Sequence, residues 1–547
     1  MSLLRIANGT VYDPANGIDG IVSDIWVEAG KIVAPPRGRK KATRTIDASG
    51  QLVFPGGIDM HSHIAGPKVN FSRKMRPEDR RNAVYPKTDL LRSGTGGSTP
   101  TTFTTGYLYG GLGYTTAFDA AIPPLGARHA HEEFRDTPVI DKGFFILLGN
   151  NHYAMKLIAA QEQEVLSAYA GWLLNATKGY ALKIVNPGGV ERWKQGAGHD
   201  TQLDTVVDGF GITPRQIITG VAQAAIDLNL PHPVHIHGNQ LGIAGNWRTT
   251  LETMRALEGR RAHLTHVQFH SYGGEPNGEG FCSRVSELVD YVNSHRNISI
   301  DVGHVNFGKT TSMTGDGALG YFLHRVTGKK WFNSETECEA GCGIVPIEYK
   351  QRSLIHALQW IIGLEWYLLM QDPWRIAMST DHPNGGVFLA YPEMIQLLMS
   401  RDYRREVLTK LPASIAGRCV LPSLEREYTL NEIAIITRAS PARLLGLKDK
   451  GQLGVGADAD ITLYSPHPTW KQTFELPRMV LKAGEIVCEN GEFRHIPFGL
   501  LHAVNPSFDD GWLAHFRNWF QDNYSIQFDN FAVDDSYLQE GVVLQSC

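Results

Sequence analysis

The chain has 547 residues, 42% of them hydrophobic and 20% charged, which leaves room for one large catalytic domain and a smaller accessory one. Its net charge of −4 is small for that length and offers no basic face to nucleic acid or to an anionic membrane. The six cysteines are scattered, Met1-Ser2-Leu3-Leu4-Arg5-Ile6 lacks a signal peptide's apolar core, and the richest apolar run, Leu358 to Met370, is too short to span a bilayer; a reducing, cytoplasmic setting is expected.

In chain order, Leu3–Asn8, Ile25–Glu28 and Lys31–Ala34 read as short strands between Gly, Pro and Asp turns. From Gly56 to Gly446, apolar runs alternate with longer helical patterns. The runs are Gly143–Leu148, Ala181–Val185, Val234–His237, His263–Val267, Ile298–Val302 and Arg375–Ser379; helices are expected at Glu162–Thr177, Thr213–Leu228 and Ser353–Met370. This repetition predicts a parallel α/β architecture, most simply a (β/α)8 TIM-like barrel. A closing helix is expected with Ser440 as its cap and Pro441 in first position. Strand patterns return at Ile461–Leu463, Met479–Lys482, Glu485–Cys488 and Glu492–Phe493, so one small sheet domain is expected from both ends of the chain. The last 50 or so residues carry Trp512, Phe516, Trp519, Phe520, Tyr524, Phe528 and Phe531, too apolar for a solvated tail, and are expected to pack on the barrel or on a partner subunit.

Active sites of such barrels lie where strands end, and polar residues close the apolar runs here. His61 and His63 follow Leu52-Val53-Phe54-Pro55 and Gly56-Gly57-Ile58-Asp59-Met60; at i and i+2 of an extended segment they share one face and can reach one metal. Lys183 closes Tyr180-Ala181-Leu182. Alone it would be a solvent-facing charge, but in a metal-lined cavity burial and nearby cations favour its neutral amine, which combines with carbon dioxide to give a carbamate able to bridge two metals. His235 and His237 form a second same-face pair, one expected as a ligand and the other as its orienting neighbour. His263, His266 and His270 crowd the next run, and Asp381 sits in Ser379-Thr380-Asp381-His382-Pro383. Histidine and carboxylate without thiolate suit zinc in an open catalytic site, where bound water ionises near neutral pH. Asp381 is placed to accept the nucleophile's proton and pass it to a leaving amine. The chemistry implied is hydrolysis of an amide-like C–N bond.

These residues together resemble the amidohydrolase superfamily, in the branch with two metals bridged by a carboxylated lysine. The terminal motif Ser440-Pro441-Ala442-Arg443-Leu444-Leu445-Gly446, followed by Gly451…Gly456-Ala457-Asp458-Ala459-Asp460, belongs to the same likeness. Carried over by motif, the metal ligands would be His61, His63, Lys183, His237, His266 and Asp381, the last also catalytic. His235, His263, His270, Lys68 and Asn70 are left as orienting or substrate-contacting residues. The resemblance implies a small β-sandwich domain from residues 1–55 and 448–495, a barrel over 56–447 and an extension over 496–547.

Longer strings narrow the likeness. His61-Ser62-His63-Ile64-Ala65-Gly66-Pro67-Lys68-Val69-Asn70, Lys183-Ile184-Val185-Asn186-Pro187-Gly188-Gly189 and His263-Leu264-Thr265-His266-Val267-Gln268-Phe269-His270 are similar to the A subunits of formylmethanofuran dehydrogenase and of formyltransferase/hydrolase complexes. That subgroup implies two zinc ions, a carboxylated Lys183, partner subunits, and interconversion of a formylated furan amine carrier with formate and free amine. A free-standing cyclic amidohydrolase of dihydroorotase or hydantoinase type uses nearly the same ligands and is the rival within enzymes; a non-catalytic scaffold is the rival outside them. The Gly/Thr-rich segment Ser93–Gly111 is expected as a substrate-covering loop or an ordinary surface excursion, and the pair Cys338 and Cys342 receives no role.

Overall fold

In the computed structural model, residues 3–37, 41–198, 200–334, 342–545 and 547 are described. Eight strands, Gly57–Ser62 (β1), Tyr114–Ile122 (β2), Asp141–Leu147 (β3), Ala181–Val185 (β4), Val234–His237 (β5), Ala262–Leu264 (β6), Ile298–Asp301 (β7) and Ile376–Ala377 (β8), pair in sequence order, each parallel to the next. The ring closes through a parallel bridge between Ser62 and His382, where the His63 N–H donates to the His382 carbonyl at 2.7 Å. Closure therefore sets the first histidine pair beside Asp381. Barrel strands covered on both faces read as unbroken apolar runs, and β2, β3, β4 and β5 are buried along their whole length.

The helices follow local signals. Pro214–Asp227 starts at the Thr213–Gln216 capping box, and Leu354–Leu369 starts at Ser353, whose hydroxyl accepts from the His356 N–H. The expectation for Ser440 fails. Thr429 is the cap, through a capping box with Glu432, and the helical path runs on through a π-turn, Ile435–Ala439, into Ser440–Leu445. Pro441 cannot donate to the preceding turn, and a wider turn before it lets the helix continue. The Ser440 hydroxyl donates instead to the Trp374 carbonyl.

A nine-stranded sheet joins both chain ends: Ile461–Tyr464 runs antiparallel to Leu52–Pro55, with Met479–Lys482, Glu485–Glu489 and Glu492–Phe493 beyond it. A buried ion cluster fastens this sheet to the barrel. Lys482 reaches Asp141 at the start of β3 (2.6 Å) and Asp460 (2.7 Å), and Lys450 bonds the same two carboxylates. The C-terminal aromatics pack on the helix Gln163–Thr177, with Phe516 and Phe520 fully buried and Trp172 stacked on Phe528. Leu501–Val504 pairs with β3 and carries Val542–Gln545 on its other side. Residues Thr102–Gly111 of the Gly/Thr-rich segment are helical, and buried Tyr109 donates to Asp59 at 2.7 Å. Cys342 is buried; Cys338 lies outside the described residues. No helix among the described residues is long and apolar enough to cross a membrane.

Candidate active site

The barrel's C-terminal rim brings six of the sequence-selected residues together. His61 Nε2 and His63 Nε2 each lie 3.0 Å from Asp381 Oδ1, and His61, His266 and Asp381 offer donor atoms within 4.8 Å of one another. The His237 and His266 rings are 4.7 Å apart, and His270 lies 5.4 Å from His266. Lys183 is level in register with His235, as His235 is with His263 and His263 with Ser299, so these four form one inward layer. His237 stands one pleat higher, nearer the rim. His235 and His263 are engaged in ring and carboxylate contacts within that layer, whereas Lys183, at the same level, lies near enough to Asp301 and Asp381 to feel their charge.

Backbone shape aims the rim residues. His266 (φ 35°), Asp381 (φ 49°) and Asn186 (φ 39°) all hold left-handed conformations just past their strands. Such conformations cost about 1–3 kcal/mol each and persist where the surroundings over-determine them. Here the His266 N–H donates to Asp301 Oδ1 (3.0 Å), and the Asp381 N–H donates to the Ser379 hydroxyl (2.8 Å). Gly303 passes so close that a Cβ there would meet the His266 Cβ at 2.3 Å.

Several contacts come from residues that the sequence reading did not single out. Asp301 accepts from Thr265 (2.6 Å) and His263 (3.1 Å) and lies 3.3 Å from His61 Nδ1. Asp119 sits 3.8 Å from His63 and is anchored by the N–H groups of Ile64 and Ala65. Asp316 lies 3.6 Å from His237 Nε2, and the Asn384 amide donates to Asp381 Oδ1 at 2.9 Å. Lys68 faces Asp119 (3.5 Å) and the Ala121 carbonyl. Asn70 joins Glu133 and His129 in a separate polar network. The signal for Asp301 was present, since it closes Ile298-Ser299-Ile300 as Lys183 closes its own strand. Asp119 and Asp316 are distant in sequence from the histidines they touch, with no local pattern to mark them.

Electrostatics suit a cation. Burial lowers the Lys183 amine to about 7, against the pull of Asp301 and Asp381. Burial, then neighbouring imidazoles, hold His266 and His270 well below the ordinary histidine value, leaving neutral rings with free lone pairs. Burial works against charge on His61 and on Asp381, yet Asp301 and Asp381 outweigh it at the imidazole and His61 and His63 outweigh it at the carboxylate. Lys183 Nζ, His266 Nδ1 and His270 Nε2 are buried without a hydrogen-bond partner, which is costly unless a ligand completes them. This donor set fits a metal. A second trio, His61, His235 and Asp301, is as compact, but its nitrogens are already hydrogen-bonded to one another and to Thr265.

Beside Asp381 and Asn384 opens a cavity of about 600 Å³ walled by Phe269, Leu319, Phe322 and Ile347. A carboxylate at the end of an apolar cleft can orient a flat, weakly polar substrate and move a proton at its reacting bond. The segment Ser93–Gly111 does not line this cavity.

A family model described as "Amidohydrolase family" matches residues 44–488. Protein FwdA of Methanocaldococcus jannaschii is 44% identical over 99% of this chain and 98% of its own length. The FhcA component of the formyltransferase/hydrolase complex of Methylorubrum extorquens is 36% identical over 98% of each chain. The crystal structure of the Methylorubrum extorquens formyltransferase/hydrolase complex FhcABCD with methylofuran contains a chain that superposes with a TM-score of 0.93 at 35% identity, covering 100% of both chains. The barrel, the sheet built from both ends and the full-length likeness agree: this chain belongs to the amidohydrolase family.

Proposed function

We propose that this chain is the hydrolase component of a formyltransferase/hydrolase complex of one-carbon metabolism, cleaving the formamide C–N bond of a formylated furan amine carrier to formate and free amine, or forming it in reverse. The observation that carries this reading is the full-length likeness to a chain of a complex that holds methylofuran. His61, His63, Lys183, His237, His266 and Asp381 would hold two zinc ions. When bound, zinc supplies Lewis-acid polarisation of the formyl carbonyl and an acidified water.

The remaining work falls to side chains. Lys183, as its neutral amine, takes up carbon dioxide and loses one proton, becoming a carbamate that adds a carboxylate to the ligand set. Asp381, kept ionised by His61 and His63, accepts the proton of the attacking water and returns it to the nitrogen of the departing amine. Asn384 steadies Asp381 through its amide, and Asp119 steadies His63. The apolar walls beside Asp381 receive the carrier's ring and exclude bulk water.

A pH dependence follows from Lys183. Its value near 7 leaves the amine mostly charged below that pH and mostly neutral above it. Bicarbonate-dependent metal reconstitution of stripped protein is therefore expected to rise as pH increases through about 7; reconstitution independent of bicarbonate and pH from 6 to 8 (roughly one unit either side) would remove the carbamate.

The reading is tested by mass-spectrometric identification of what co-purifies with the chain from its native host. A formyltransferase is expected, and a molybdenum or tungsten enzyme beside it would place the chain in a formate-condensing assembly. A lone homo-oligomer that turns over dihydroorotate or a hydantoin would replace this reading with a cyclic amidohydrolase.

A further inference from the structure

Beneath the rim, the barrel interior holds imidazoles where such cores hold branched aliphatics. His232, His235 and His61 form a chain of ring-to-ring contacts that begins at a main-chain carbonyl. His232 Nδ1 lies 2.8 Å from the Leu444 carbonyl oxygen, His232 Nε2 lies 3.0 Å from His235 Nδ1, and His235 Nε2 lies 2.8 Å from His61 Nδ1. Phe145 packs against both lower rings, at 5.2 and 4.8 Å between centroids, and fixes their planes.

A carbonyl can only accept, so the proton of His232 sits on Nδ1. His232 is fully buried, and its two nitrogens meet the Leu444 carbonyl and His235 rather than a carboxylate that could compensate a charge, so its ring is neutral. A neutral ring with its proton on Nδ1 has a bare Nε2. His235 must then donate from Nδ1 to His232, and its Nε2 is the nitrogen that can accept from His61 Nδ1. A second arm reaches the same answer. The Thr265 hydroxyl spends its proton on Asp301 (2.6 Å), so its oxygen can only accept from His61 Nδ1. Both arms place a proton on His61 Nδ1, so Nε2, the atom 3.0 Å from Asp381, is the nitrogen left to face a metal.

We propose that His232 and His235 are positioning residues forming a tautomer relay, which starts at the Leu444 carbonyl and fixes His61 in the form that can ligate a metal through Nε2. The proposal rests on the reading of His61 as a metal ligand. Free imidazole in water favours its proton on Nε2, so three successive histidines protonated on Nδ1 would be a distinctive signature of the relay.

Two measurements test it. Long-range ¹H–¹⁵N spectra of the metal-free wild-type protein, labelled at histidine, are expected to show His232 and His235 neutral with the proton on Nδ1; finding it on Nε2 in either overturns the relay, whether or not any variant folds. In the second, zinc affinity is measured by chelator competition. His232→Leu removes the acceptor for His235 and is expected to weaken zinc binding by about 10–100-fold, the range for residues that orient a ligand. His232→Gln, whose amide can donate to Leu444 and whose oxygen can accept from His235, is expected to recover most of that loss. Tyr180→Phe, which deletes a hydrogen bond to the neighbouring Leu445 carbonyl, is expected to bind zinc as the wild type does. Equal losses in His232→Leu and Tyr180→Phe, or wild-type affinity in His232→Leu, would overturn the relay. Wild-type protein that binds no metal would instead overturn the reading of His61 as a ligand, while the tautomers of the metal-free protein still decide the relay.

Discussion

Replacing Asp381 with Asn is expected to lower turnover by about 10²–10⁴-fold, the usual contribution of a positioned proton-transfer group, or about 3–5 kcal/mol of transition-state stabilisation. The asparagine keeps an oxygen beside His61 and His63 but cannot take a proton from the attacking water. The fall should therefore appear in kcat, with KM and metal content close to wild type. The wild-type carboxylate lies 3.0 Å from both imidazoles and faces the cavity, so it can serve the metal site and the substrate together. Near-normal turnover in Asp381→Asn would rule it out as the proton acceptor. Loss of metal together with activity would confine its role to holding the metal.

Lys183→Ala should remove at least one of two metal equivalents per chain, measured by elemental analysis, and activity with it. The native amine is fully buried and makes no hydrogen bond to protein, so no pairing interaction within the fold is lost with it. Lysine buried this way is expensive unless neutral or modified, and Asp301 and Asp381 are too few to compensate it fully, since its value stays near 7. Retention of both metals in Lys183→Ala would exclude a carbamate bridge. An unfolded variant would show instead in lost cooperative unfolding.

The barrel was legible because parallel strands covered on both faces leave unbroken apolar runs, and β4 and β5 match the expected Ala181–Val185 and Val234–His237 residue for residue. The rim was legible for the same reason, since a polar side chain closing such a run has only the active-site end to face. Depth within the barrel was not. His235 and His237 share one face of β5, and only the register shows His235 level with Lys183 and His263 and His237 one pleat nearer the rim. The supporting carboxylates were harder still. Asp119 and Asp316 reach their histidines across 56 and 79 residues of chain, and His232 reads as part of a Pro-His-Pro loop although it underlies the whole histidine chain. Ser440 was misread because a serine before a proline is the local signature of a helix start, while the π-turn that absorbs Pro441 depends on packing against the barrel.

The most direct test of the account is formate release from an N-formylated furan amine by the protein purified from its native host, before chelation, after chelation and after zinc is returned. Formate and free amine are expected in equal amounts, with loss of both on chelation and recovery of both with zinc. Formate release that survives chelation, or a loaded protein inert toward the formamide yet active on dihydroorotate, would contradict it.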